Sequence, residues 1–144
     1  MGPPSAYAGA QAIGTRIAAN YLNSQSFSTA TASSPNIDLS SSPIPTLTFR
    51  MWVHTEGGVF DGANLKISTD GGGSWSVVDT VTPPYPLMID GEPAWGGQQQ
   101  GLGWQYVEVN LAQYTGQIVR LQFSFRSDSS GNHPGIYIDD FLVQ

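Results

Sequence analysis

The chain has 144 residues, enough for one domain with its own core, and it is rich in glycine (17) and proline (10) but only 11% charged. A net charge of −6 with five scattered basic residues argues against nucleic-acid binding, because phosphate backbones would be repelled. The absence of cysteine excludes disulfides and thiol nucleophiles, and no apolar run is long enough to insert into a membrane.

The first part of the chain contains little regular pattern. Residues 1–12 are expected to be irregular, with Met1-Gly2-Pro3 foreign to the natural protein. A short strand is predicted near Thr15 to Ala18, and alternating β-forming residues predict a longer one from Ser26 to Thr31. Strand formation is therefore expected to begin early, without a helix.

The middle of the chain shows the clearest alternation of apolar and polar residues. From Thr46 to Thr55 it predicts a long antiparallel strand with one face in water. Asn64 to Ser68 and Trp75 to Val81 flank a glycine-rich turn, which predicts a hairpin. The proline-rich stretch from Thr82 to Gly103 is expected to be an irregular loop, of a length that is usually functional or strapped across a sheet.

Three further strands are predicted in the last third. Tyr106 to Leu111 and Ile118 to Arg126 are separated by a short polar connection and are expected to form a hairpin. Gly135 to Val143 is apolar on both faces, with Leu142 predicted in phase with Ile136 and Ile138, which indicates a central, covered strand. About eight strands and no credible helix predict a single all-β module over residues 1–144, a two-sheet antiparallel β-sandwich of jelly-roll type.

The sharpest local motif is STDGGGSW, which has the spacing of an Asp-box. The carboxylate of its aspartate can accept hydrogen bonds from amides of the turn, and its glycines supply positive φ. The motif predicts a structural hairpin and no reaction. Its structural residues are Ser68, Asp70, Gly72 and Trp75.

Acidic residues fall at loop and strand-end positions with few basic residues to pair with. Two adjacent aspartates in an otherwise apolar strand need an explanation, since a buried carboxylate is costly unless it is paired or binds a metal. Carboxylates and carbonyls of glycine-rich loops are the ligands that calcium prefers. The alternative is that these acids cap loops or face solvent. The acids concerned are Glu56, Asp61, Asp128, Asp139 and Asp140.

Two classes of side chain remain as candidates for a ligand or a reaction. Trp52, Tyr85 and Trp95 are weak candidates for stacking on a sugar ring, Trp52 because it lies on the polar phase of its strand. His54 and His133 belong to no catalytic motif, and nothing in the spacing of the serines selects a triad. No catalytic residue is therefore predicted.

In their order and spacing, five segments of the chain resemble MAM-like jelly-roll modules. Such modules are appended to secreted bacterial metallopeptidases of the immune-inhibitor-A type, and to bacterial surface proteins and adhesins. The segments are PPSAYAGAQAIGT, SPNIDLS, FDGANLKISTDGGGSW, GWQYVEVNLAQYTGQIVRLQFSFRSD and GIYIDDF. The cysteines of animal MAM domains are absent, which favours the bacterial group.

The resemblance implies a sandwich without enzymatic activity, used for adhesion, targeting or support of a neighbouring domain, and secreted or held at a bacterial cell surface. It also implies a structural calcium ion, with Glu56, Asp61 and the Asp139-Asp140 pair as matching acids. Partners would be the neighbouring domains of the parent protein, with glycans or a cell-surface protein as further candidates. The alternatives are a carbohydrate-binding module and, less favoured for so small a chain, a stand-alone hydrolase.

Overall fold

A computed structural model describes residues 1–144 and shows an all-β chain with antiparallel sheets, which confirms the predicted fold class. Two single 3₁₀ turns, Gln100–Leu102 and Ala112–Tyr114, are its helical elements. The strands are β1 (Ile13–Gly14), β2 (Ala30–Ser33), β3 (Ile37–Asp38), β4 (Thr46–His54), β5 (Gly62–Ser68), β6 (Ser76–Val77), β7 (Val81–Thr82), β8 (Leu87–Ile89), β9 (Glu92–Ala94), β10 (Gln105–Asn110), β11 (Ile118–Arg126) and β12 (Gly135–Val143).

The strands form two five-stranded sheets and a separate hairpin. The first sheet has the order β1-β12-β4-β10-β7, and the second has the order β2-β11-β5-β6, with β3 also paired to β11. β4 lies in the middle of the first sheet, where Met51 is opposite Gln105 of β10 and Ile138 of β12. β4 is therefore paired with a neighbouring strand on each side along most of its length.

The core lies between the two sheets and contains the apolar phase that the sequence predicts for β4. Leu47, Phe49, Met51 and Val53 are all buried, and they belong to one cluster with side chains of β5, β10, β11 and β12. Burial of each such side chain contributes about 1.5–3 kcal/mol to the stability of the fold.

The prediction that the other face of β4 is in water is wrong. Trp52 is 5% exposed, and Arg50 and His54 are half-buried. The N-terminal segment crosses this face, with the Tyr7 ring 4.5 Å from the Arg50 guanidinium. The polar pattern of β4 therefore reflects a surface covered by another part of the same chain.

Two early strands differ from their predicted positions. β1 ends at Gly14, and Ile17 and Ala18 lie in a turn, so a strand from Thr15 to Ala18 is absent. β2 begins only at Ala30, because the Ser26 carbonyl accepts the Thr29 and Ala30 amides and closes a turn where a strand was predicted. Local hydrogen bonding of this kind competes with a strand ladder.

The predicted hairpin of the last third is also wrong. β10 pairs with β4 and β7 in the first sheet, whereas β11 pairs with β2, β3 and β5 in the second. The short connection contains the 3₁₀ turn Ala112–Tyr114, which carries the chain from one sheet to the other. The segment after the Asp-box divides in the same way, since β6 pairs with β5 and β7 pairs with β10.

The proline-rich stretch is more regular than predicted. β8 and β9 form a hairpin, and the side-chain amide of Asn64 in β5 donates from Nδ2 to the Pro93 carbonyl at 3.1 Å. Glu92 also forms an ion pair with Lys66 of β5, with 2.9 Å between Oε2 and Nζ. The hairpin therefore covers the outer face of β5, in which all seven residues are buried.

β12 contains a β-bulge at the paired aspartates. Asp139 is opposite Arg50 and Leu142 is opposite Thr48, so one extra residue is inserted, and Asp140 has a φ of 53°. The bulge reverses the phase of the strand, which places Phe141 against Phe49 of the core and leaves Leu142 exposed. The predicted phase of Leu142 with Ile136 and Ile138 is therefore wrong.

Candidate functional site

Three carboxylates converge at one end of the sandwich. Glu56 follows β4, Asp61 precedes β5 and Asp128 follows β11, and one carboxylate oxygen of each lies within 4.8 Å of the others. Asp61 is completely buried, and the other two are half-buried. Antiparallel pairing of β5 with β11 brings these loops together, so the cluster follows from the topology.

Tyr21 organises the buried member of this cluster. Its hydroxyl donates to Asp61 Oδ2 at 2.5 Å and accepts the Glu56 amide at 3.1 Å. Asp61 Oδ1 accepts the Asp128 amide at 2.8 Å. Burial, followed by the hydrogen bond to Asp61, raises the pKa of the Tyr21 phenol, so this hydroxyl remains a donor at neutral pH.

Glu56 is the member without a partner. Its Oε2 is buried and has no hydrogen-bond partner, and burial, reinforced by the charges of Asp128 and Asp61, raises the pKa of its carboxyl group. Gly131 lies directly against this carboxyl group and has a φ of 72°. A side chain at position 131 would occupy the space beside the free oxygen.

The donor set fits a hard cation such as calcium. All three groups are carboxylates, and Glu56 Oε2 is a buried acceptor that lacks a donor. Two basic side chains of the neighbouring strands β5 and β11 are paired elsewhere, Lys66 with Glu92 and Arg126 with Asp90. Each carboxylate oxygen has two lone pairs, so Asp61 can keep its present hydrogen bonds and still offer a ligand.

The structure does not bring Asp139 and Asp140 to this cluster. Asp139 is opposite Arg50, four residues before the end of β4, which corresponds to roughly 13 Å along the strand. Its Oδ2 accepts the amides of Tyr7 and Ala8 at 2.7 and 3.0 Å, and these bonds lower the pKa of the carboxyl group. Asp139 thus holds the N-terminal segment against the first sheet.

The Asp-box residues form the expected turn. Asp70 accepts hydrogen bonds from the Ser68 hydroxyl at 2.7 Å and from the Ser74 amide and hydroxyl at 2.9 and 2.7 Å. These bonds hold the pKa of the Asp70 carboxyl group well below its usual value. Gly72 has a φ of 99°, and Trp75 is half-buried beside the Arg120 guanidinium at 6.0 Å. The arrangement is that of a structural hairpin turn.

The three aromatic residues considered for sugar stacking do not form an exposed platform. Trp95 is 2% exposed in the core, where Tyr85 lies against it at 4.4 Å between ring centroids. The Tyr85 hydroxyl donates to the Val78 carbonyl at 2.8 Å. Trp52 is buried on the outer face of the first sheet, edge-on to Tyr137. Their placement does not support a stacking role for these three rings.

Two features of the site were not predicted from the sequence. Tyr21 lies in a segment without a periodic pattern, and no local signal indicates that its hydroxyl reaches Asp61. His54 and His133 stack with their ring centroids 4.8 Å apart beside the acidic cluster, and burial lowers the pKa of His54. A strand end and a distant turn meet here, which only the three-dimensional pairing of β4 with β12 reveals.

A comparison with known proteins shows a similarity over almost the whole chain. The chain is 27% identical over 142 residues to Bacillopeptidase F of Bacillus subtilis (strain 168), a match that covers 99% of this chain. It spans only 8% of that relative's length. No family model matches the chain. None of the helical turns in the structure has the length and apolar character of a membrane-spanning helix.

Proposed function

We propose that this chain is a non-catalytic accessory module of a longer extracellular protein, stabilised by a calcium ion at Glu56, Asp61 and Asp128. The convergence of these three carboxylates, with Glu56 Oε2 buried and unpartnered, is the observation that carries the calcium proposal. The match to 8% of a much longer peptidase supports the role as one module among several. The acidic, lysine-poor composition is consistent with an extracellular setting.

The ion would act on the loops rather than on a substrate. Glu56 and Asp61 border the β4–β5 loop, and Asp128 lies in the β11–β12 loop. A ligand shared by the two loops would fix the end of the sandwich at which they meet. A rigid end of this kind suits adhesion or support of a neighbouring domain, which are the roles that we propose for the module.

A calcium titration of the metal-stripped protein tests this proposal. We expect one calcium ion per chain, and we expect Glu56→Gln to weaken binding by about tenfold or more, since it removes a charged ligand. Glu108→Gln is the matched control, because Glu108 is an exposed acid on β10 and the change in charge is the same.

The melting temperature separates loss of the site from loss of the fold. In the absence of calcium, Glu56→Gln is expected to raise the melting temperature, because it removes repulsion among three close carboxylates. Equal calcium affinity in the wild type and in Glu56→Gln would contradict the assignment, as would the absence of binding by the wild type.

A further inference from the structure

Among the basic residues, Arg50 alone lacks an oxygen partner. Lys66 and Arg126 are in ion pairs, Arg120 donates to the Ser34 carbonyl at 3.0 Å, and Arg16 approaches the Asn20 carbonyl at 3.5 Å. Arg50 Nε, in contrast, is buried without a hydrogen-bond partner. A buried donor without an acceptor costs folding free energy, so its presence calls for an explanation.

The surroundings of Arg50 consist of aromatic rings. Its guanidinium lies 4.5 Å from the centroid of Tyr7 and 4.9 Å from that of Tyr106. Trp104 lies edge-on to Tyr7 at 6.4 Å, and its indole donates to the Ser5 carbonyl. The Tyr106 hydroxyl donates to Glu108. We call Arg50, Tyr7, Trp104 and Tyr106 the Arg50 site.

The neighbour best placed to neutralise Arg50 is occupied elsewhere. Asp139 is directly opposite Arg50 in the strand register, but its carboxylate accepts the Tyr7, Ala8 and Asp140 amides. The Arg50 guanidinium is thus held in position by the rings of Tyr7 and Tyr106, and it donates no hydrogen bond to an oxygen. Guanidinium groups bind carboxylates through two parallel hydrogen bonds, which an Arg held in one plane by aromatic faces is prepared to form.

We propose that the Arg50 site binds a carboxylate-bearing sugar, with Arg50 on the carboxylate and the exposed rings of Tyr7 and Tyr106 against the sugar ring. These two rings are 45% and 48% exposed, so each offers surface to a ligand. An acidic peptide is less well matched, because β4 is paired on both sides and has no free strand edge for a peptide backbone. The inference goes beyond the calcium proposal and does not depend on it.

Affinity electrophoresis in gels containing polygalacturonate tests the inference, with fully methyl-esterified polygalacturonate as the uncharged matched polymer. We expect the wild type to be retarded by the acid and not by the ester. Arg50→Gln should weaken retardation by about tenfold or more, since a hydrogen bond to a charged group is lost. Arg16→Gln is the control for net charge, because Arg16 is exposed and lies outside the site.

Each remaining outcome either supports or overturns ligand binding at the Arg50 site. If Arg50→Gln lacks a cooperative melting transition, Tyr106→Leu replaces it, since that ring is half-exposed and its loss should weaken retardation while the fold is kept. No retardation of the wild type by polygalacturonate, or equal weakening in Arg50→Gln and Arg16→Gln, would overturn the inference. Stronger retardation by poly-glutamate than by polygalacturonate would assign the site to acidic peptides instead.

Discussion

Replacing Trp95 by alanine is expected to lower the free energy of unfolding by about 3–5 kcal/mol, the usual cost of removing a buried Trp or Phe ring. The ring is 2% exposed and lies edge-on to Phe49 of β4, with 5.9 Å between the ring centroids. The Trp95 backbone also pairs with Ala63 of β5 through two hydrogen bonds of 2.8 and 2.9 Å. Urea unfolding of both proteins measures the difference.

Trp75→Ala is the matched control for this experiment. Its ring is only half-buried over the Asp-box turn, so a smaller loss of about 1–3 kcal/mol is expected. A loss below about 1 kcal/mol for Trp95→Ala would contradict its place in the core. That result would return Trp95 to the sugar-stacking role considered from the sequence.

Calcium at about 100 times its dissociation constant is expected to add roughly 2.7 kcal/mol to the free energy of unfolding. For a domain of this size the melting temperature should rise by about 5–10 °C, because the ion binds the folded cluster and not the unfolded chain. Melting curves of chelator-stripped protein, with and without millimolar calcium, measure the shift.

Two variants separate the structural ligand set from the one that the sequence suggested. Asp128→Asn should lose most of the calcium-dependent shift, since Asp128 belongs to the cluster. Asp139→Asn should keep the shift, because its carboxylate binds the Tyr7 and Ala8 amides. The opposite pattern would favour a site at the Asp139-Asp140 pair. Identical melting curves for the stripped and calcium-loaded wild type would contradict calcium binding altogether.

Side-chain alternation predicts a strand well where one face of that strand packs against the core. The inward phase of β4, Leu47 to Val53, is correct in the structure because a period of two is a local property of the chain. The separation of β10 and β11 into different sheets could not be predicted in this way. A short connection suits a hairpin and a crossing between sheets equally well, and the choice depends on contacts with β4 and β5.

The candidate site shows the same division between local and distant information. The Asp-box turn was predictable because Ser68, Asp70 and Ser74 bond within seven residues of each other. Glu56 and Asp61 lie close together, as the sequence suggested, since they border one loop. The third acid beside them is Asp128, and neither Asp139 nor Asp140, because the pairing of β11 with β5 brings the end of β11 next to Asp61. The role of Asp139 could not be predicted either, because it depends on hydrogen bonds to the distant N-terminal segment.

Calcium binding at the acidic cluster is tested most directly by a crystal structure of the protein soaked in calcium and measured with the anomalous signal of the ion. We expect a single ion with oxygens of Glu56, Asp61 and Asp128 at about 2.3–2.6 Å, completed to six to eight ligands by carbonyls or water. Glu56 Oε2, which has no partner in the present structure, should be among the ligands. A calcium-soaked crystal with no ion at this cluster, or with one at Asp139 and Asp140 instead, would contradict the proposed site.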